Sequence, residues 1–183
     1  YEEFPWMKPD KTVVIYNGIS TSEFNIEKID LSALWGIPKK NSIFVAAGRL
    51  TTQKGFDLLI KAASKIDYKK YPFTILIAGK GKDRKYLSTL INELKMGDRV
   101  HLIGFQNKLS QFLKSCDFVI MPSRQEGMPN VVMESMALGK PVLAANVNGV
   151  PELIEHEISG YIFEPYKIDA IRNAMNYVMK NKD

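Results

Sequence analysis

The run Ile43-Phe44-Val45-Ala46-Ala47-Gly48-Arg49-Leu50-Thr51-Thr52-Gln53-Lys54-Gly55-Phe56-Asp57-Leu58-Leu59-Ile60-Lys61-Ala62-Ala63 is where the fold becomes readable. It begins with a short, continuous apolar stretch, Ile43–Ala47, of the kind a strand shows when both of its faces are buried in a parallel sheet. A polar loop bounded by Gly48 and Gly55 follows. Phe56, Leu59, Ile60 and Ala63 then recur at helical spacing, which places an amphipathic helix directly after the loop. Strand, loop and helix in that order form the opening of a βαβ unit.

Outward from this stretch the alternation continues. Val13–Tyr16, Phe73–Ala78, Val100–Ile103, Phe118–Met121 and Val142–Ala145 read as further buried strands. Leu87, Leu90, Ile91 and Leu94 mark a second helix, and Ile168, Ile171, Ala174, Met175 and Val178 a last one. These stripes are read as core packing. The pattern predicts an α/β fold: a doubly wound, mostly parallel Rossmann-like sheet with helices on both faces and right-handed crossovers. Ligands in such sheets bind beyond the carboxyl ends of the strands, so the loops after Ala47, Ala78, Ile103, Met121 and Ala145 are the place to look for function.

Composition narrows the classes. A chain of 183 residues that is 45% hydrophobic can bury a substantial single core. The net charge of +5 is spread along the chain, with no basic tract interleaved with aromatics, so no nucleic-acid partner is expected. The same balance suits an anionic small ligand or contact with an acidic membrane surface. The lone Cys116 rules out an internal disulfide, and His101 and His156 stand too far apart in sequence to suggest a metal site, so neither a metal nor a cofactor is called for. Reducing cytoplasm is the expected compartment. The apolar runs fall well short of the roughly 20 residues that cross a bilayer. The segment Tyr1–Asp10 is acidic and Pro-interrupted, unlike a secretory signal.

Three loops carry chemistry. Gly48–Gly55 holds Arg49, a planar fork of donors, and Lys54, a mobile point charge, on one strand-to-helix connection. Together they could neutralise a diphosphate beside the following helix, although a solvated loop with two surface charges has the same composition. Gly79-Lys80-Gly81 begins a dinucleotide fingerprint that Arg84 breaks at the third glycine, which argues against NAD. Those glycines instead allow a tight turn and close backbone approach.

The third loop is Pro122-Ser123-Arg124-Gln125-Glu126-Gly127-Met128-Pro129-Asn130-Val131-Val132-Met133-Glu134. Pro129 suits the first turn of a helix, which leaves backbone N–H groups around Gly127–Asn130 free to face an anion. Glu126 and Glu134 lie near the same open end, and each carboxylate can accept from the paired hydroxyls of a ribose or a hexose. Alternatively, Glu126 is a solvated loop charge and Glu134 an exposed helical residue, but the apolar neighbours Val132, Met133, Met136 and Ala137 speak against a solvated face.

Gly48-Arg49-Leu50 with Gln53-Lys54-Gly55, then Glu126-Gly127-Met128-Pro129, Glu134-Ser135-Met136-Ala137 and Gly149-Val150-Pro151-Glu152 resemble the C-terminal, donor-binding domain of family 4 retaining glycosyltransferases of GT-B fold. The resemblance is collinear from about Val13 to the last helix. It implies a nucleotide-sugar-binding domain over residues 12–183, with residues 1–11 a linker from a missing N-terminal domain. It further implies that Arg49 and Lys54 bind the donor diphosphate, that Glu134 holds the ribose, and that Glu126 with the amides of Gly127, Met128, Pro129 and Asn130 meets the transferred sugar and its phosphate. Gly18, after the first predicted strand, would mark the entry to the interdomain cleft, and Gly104 and Phe105 would border the nucleobase.

The activity implied is retaining transfer of a hexose from a UDP- or GDP-linked donor, in polysaccharide, lipopolysaccharide or glycolipid synthesis. The glycan or lipid-linked acceptor would be held by the missing domain, which could also bring peripheral contact with the inner membrane face. In the usual account of this family the donor's own phosphate assists the acceptor on the same face, with no protein nucleophile. That agrees with a sequence lacking an Asp-x-Asp motif. The other reading kept open is a nucleotide-sugar-binding module without catalytic function.

Overall fold

The computed structural model describes Val13, residues 15–20 and residues 24–182. The expected linker at residues 1–11 lies outside them. Among the described residues, six strands form one sheet, every paired neighbour parallel: β1 (Ser42–Ala47), β2 (Phe73–Ala78), β3 (Val100–Gly104), β4 (Phe118–Met121), β5 (Val142–Ala145) and β6 (Tyr161–Phe163). Their order is β3-β2-β1-β4-β5-β6. The helices are α1 (Leu31–Trp35), α2 (Phe56–Ala63), α3 (Arg84–Glu93), α4 (Leu109–Ser115), α5 (Asn130–Ala137), α6 (Val150–Leu153) and α7 (Ile168–Lys180).

Burial follows strand position. Every residue of β1, β2, β4 and β5 is buried, as interior strands covered on both faces require, whereas the edge strands β3 and β6 are partly open. Helix α2 packs against α3 and α7, and α4 against α5. Phe44 and Phe118 stack across β1 and β4 with ring centroids 5.1 Å apart, joining the two halves of the core.

The winding reverses between β1 and β4. From β1 the chain proceeds through α2 to β2 on one side, and from β4 through α5 to β5 on the other, so the loops after β1 and β4 diverge and leave a crevice between them. This position follows from topology alone, before any side chain is considered.

The sequence reading departs from the structure at several elements. Val13, Ile15 and Tyr16 form no strand among the described residues and are 83%, 88% and 60% exposed. Their apolarity resembles that of a buried strand, but no strand among the described residues pairs with them, and these three side chains lie exposed instead. Strand β6, with three residues, is too short to announce itself by pattern. Helix α1 is an element that the sequence reading did not place, although its ends are well defined: Asp30 accepts from the Ala33 N–H at 2.9 Å, and Gly36 closes the helix at φ +62°.

Candidate functional site

The loop after β1 is shaped by its glycines. Gly48, at φ +155°, lets the aliphatic stem of Lys54 pass over the backbone: a Cβ there would sit 3.2 Å from Lys54 Cε. Lys54 itself ends a short 3₁₀ turn, Thr52–Lys54, closed by Gly55 at φ +67°. The Gly79-Lys80-Gly81 turn braces this loop, as its glycines suggested. The Gly48 N–H donates to Ala78 O at 3.0 Å, the Leu50 N–H to Lys80 O at 2.9 Å, and a Cβ on Gly79 would meet Gly48 O at 1.8 Å.

Across the crevice, the loop after β4 is lashed to the first. Arg124 makes a two-pronged ion pair with Asp57 of α2, Nη1 to Oδ1 and Nη2 to Oδ2 both at 2.8 Å, and Nη1 also donates to Thr52 O at 2.5 Å. The Arg124 N–H donates to Gln53 O at 2.7 Å, the Gln53 side chain to Gln125 O at 3.1 Å, and the Tyr166 hydroxyl to Arg124 O at 2.9 Å. Burial alone would raise the Asp57 pKa, but the hydrogen bonds and charge of Arg124, helped by Lys61 and the Leu58 N–H, hold it below its ordinary value.

A depressed carboxyl pKa gives stability that is full above the unfolded-state value and is lost as pH falls through the folded one. Asp57→Asn should therefore cost about 3 kcal/mol at neutral pH, as when a mostly buried pair loses one partner. The difference from the parent should shrink as pH falls below about 4, the ordinary carboxyl range. Urea melts at several pH values check both.

These straps bring the predicted residues together. Lys54 Nζ meets Glu126 Oε1 at 2.6 Å, and Glu126 is buried, with 7% of its surface exposed. Around them three pockets run into one another. One of about 350 Å³ is lined by Gly48, Arg49, Gly79, Lys80, Phe105 and Gln106, among others. It shares Ala47 and Val131 with a second, of about 300 Å³, which holds Lys54, Glu126, Met128, Pro129 and Asn130. That one shares Asn17, Glu126 and Met128 with a third, of about 330 Å³, lined also by Gly127, Tyr16, Asn148 and Glu152. The result is one continuous cleft at the switch point of the sheet.

Each end of the cleft has its own character. At the Phe105 end an exposed aromatic ring lies 5.5 Å from Lys80 Nζ, an open platform next to a cation. In the middle, α5 starts at Asn130 with Pro129 as its N-cap, one position later than the sequence suggested. Pro129 O accepts the Val132 and Met133 N–H groups, while those of Gly127, Met128, Asn130 and Val131 have no protein acceptor among the described residues. Unpaired N–H groups beside Lys54 and Arg49 form a site for an anion. Gly149, before α6, supports the loop from behind. Its N–H donates to Gly127 O at 3.2 Å, and a Cβ on it would meet that oxygen at 2.5 Å.

Three predicted residues line none of these pockets. Gly18 is exposed, and its neighbour Asn17 lines the cleft instead, with Nδ2 3.4 Å from Asn130 Oδ1. Gly104, at φ +73°, turns the chain so that Phe105 faces the pocket, and its carbonyl accepts the Gly79 N–H at 2.7 Å. Glu134 sits one turn into α5, at i+3 from Val131 and i+4 from Asn130, on the helix face that carries both lining residues. Its carboxyl group has no hydrogen bond or ion pair among the described residues, and burial raises its pKa. A carboxylate half-withdrawn from water without a partner is prepared to accept hydrogen bonds from a ligand. Ser123, Asp57 and Tyr166 were missed as parts of the site, since their contributions depend on contacts between loops distant in sequence.

The chain matches the family model for glycosyl transferases group 1 over residues 27–183. It is 37% identical to an uncharacterized glycosyltransferase of Methanocaldococcus jannaschii, an alignment covering 94% of this chain and 46% of that protein. It is 31% identical to the UDP-Gal:alpha-D-GlcNAc-diphosphoundecaprenol alpha-1,3-galactosyltransferase of Escherichia coli, over 97% of this chain and 47% of that one. Among solved structures it resembles Anabaena HepE in complex with UDP and glucose, with a TM-score of 0.85 and 28% identity, covering 96% of this chain and 50% of the other. The chain thus spans about half the length of the curated relatives it matches.

Proposed function

The chain belongs to the group 1 glycosyl transferases, and on that premise we propose that it is the donor-binding half of a retaining hexosyltransferase taking a nucleoside-diphosphate sugar. The observation that carries this reading is the Lys54–Glu126 pair seated midway along the cleft beside the unpaired amides of the α5 N-terminus. Arg49, Lys54 and those amides neutralise the diphosphate and stabilise the charge that develops as the nucleoside diphosphate leaves. Glu134 accepts from the ribose hydroxyls and Glu126 from the transferred sugar. The base lies on Phe105. Uridine is the favoured nucleoside because Anabaena HepE, a structural neighbour, is solved with UDP and glucose.

With the cations and helix terminus on the leaving-group side, the donor phosphate stays on the face of the sugar from which the acceptor can approach. This supports transfer with retention and without a protein nucleophile. The acceptor, a growing glycan or a lipid-linked saccharide, is held by the part of the longer relatives that this chain does not span. No helix among the described residues is long and apolar enough to cross a membrane.

Glu134 provides a test whose two readouts move in opposite directions. Because burial without a partner penalises its charged form, Glu134→Leu should raise the melting temperature of the free chain at neutral pH. The same variant should lose most of the further rise that UDP-glucose gives the parent. A thermal-shift comparison in which UDP-glucose protects both proteins equally would remove Glu134 from the site.

A further inference from the structure

The carboxyl group of Glu126 is held in an asymmetric way that the donor-binding reading leaves unexplained. Its Oε1 accepts two hydrogen bonds, from Lys54 Nζ at 2.6 Å and from the Ser123 hydroxyl at 2.5 Å. No hydrogen bond reaches Oε2 among the described residues. Ser123 is 1% exposed, so water does not compete for its hydroxyl. Glu126 itself is nine-tenths buried and lines both the second and third pockets of the cleft.

We propose that Ser123 is a positioning residue for the transferred sugar: together with Lys54 it fixes Oε1 of Glu126 and so leaves Oε2 to the cleft as the sugar's acceptor. The inference rests on the reading that Glu126 meets the sugar. Lys54 alone cannot set the carboxyl plane, since an ammonium is a mobile point charge that is also drawn to the diphosphate. A second donor on the same oxygen, from a short side chain on the same loop, restricts rotation about the terminal torsion, which is otherwise broad. The group is then preorganised before the donor arrives, and ordering it adds no cost at binding. A serine that merely satisfied its own buried hydroxyl would have no bearing on which part of the donor is held.

That difference sets the experiment. Calorimetry would compare UDP with UDP-glucose on the parent chain, Ser123→Ala and Glu126→Gln, with thermal melts confirming that each is folded. In Ser123→Ala the affinity for UDP-glucose relative to UDP should fall about tenfold, the value of one charge-assisted hydrogen bond, while UDP alone stays within about twofold of the parent. Glu126→Gln should move the ratio in the same direction. A ratio that shifts in Glu126→Gln but not in Ser123→Ala overturns the positioning role. So does a Ser123→Ala variant that loses UDP and UDP-glucose in equal measure. A parent chain that binds no UDP-glucose, or a ratio insensitive to Glu126→Gln, overturns the underlying reading of Glu126 and this inference with it.

Discussion

Lys54→Ala is expected to lower the affinity for UDP-glucose by about a hundredfold or more. Two losses combine. The diphosphate loses the cation at the centre of the cleft, and Glu126 is left buried with only the Ser123 hydroxyl against its charge. Truncating one member of a desolvated charge pair costs roughly 2–5 kcal/mol, and a hundredfold in affinity is about 2.7 kcal/mol. The unpaired carboxylate also repels the incoming phosphates, so the variant is worse than one with a neutral site. Lys54→Ala combined with Glu126→Gln should therefore recover part of the binding, because the second change removes the repulsion. Titrations of the single and double variants check this. Affinity in Lys54→Ala within a few-fold of the parent would show that Lys54 belongs to the fold and not to the donor site.

Gly55→Ala is expected to cost most in stability. The residue adopts φ +67°, where a side chain is strained, and its added Cβ would lie 1.9 Å from the carbonyl oxygen of Pro122. Backbone atoms cannot yield as the end of a flexible side chain can, so the loops after β1 and β4 must separate. Strain of this kind costs about 1–3 kcal/mol for the left-handed conformation alone, before the clash is relieved. Separation would also pull Arg124 from Thr52 and Asp57, and Lys54 from Glu126. The variant should melt well below the parent and bind donor poorly even where it is folded. Denaturant melts with parallel titrations check both, and a variant of parental stability would mean that this close approach is not maintained in solution.

Both expectations concern a contact between loops some 70 residues apart, which explains what could and could not be read beforehand. The parallel sheet was legible because its interior strands are short, continuous apolar runs, and five of its six strands were placed from that pattern. Val13, Ile15 and Tyr16 share the apolar pattern and have no place in the sheet among the described residues, since periodicity reports apolarity and not the neighbour that would bury it. At the site, the cation and carboxylate types at loop positions were readable, and so was the glycine-rich brace at residues 79–81.

The partnerships were less readable. Nothing local to Asp57 marks it as the anchor of Arg124, and nothing local to Ser123 marks it as a clamp on Glu126, because each bond depends on which loops the winding reversal brings face to face. The resemblance placed Gly18, Gly104 and Phe105 in the site; Phe105 lines it, whereas Gly104 does not and beside Gly18 the lining falls to Asn17. A glycine next to a ligand-facing residue commonly serves to turn the chain toward it.

A crystal structure of the chain with UDP-glucose would show whether an activated sugar lies along the cleft at the reversal between β1 and β4. The diphosphate is expected against Lys54, Arg49 and the amides at the start of α5, the sugar against Glu126, and the uracil beside Phe105. Nucleotide ordered elsewhere, for example in the cavity of about 420 Å³ between Lys140, Glu157, Tyr161 and Tyr177, with the cleft empty, would contradict it.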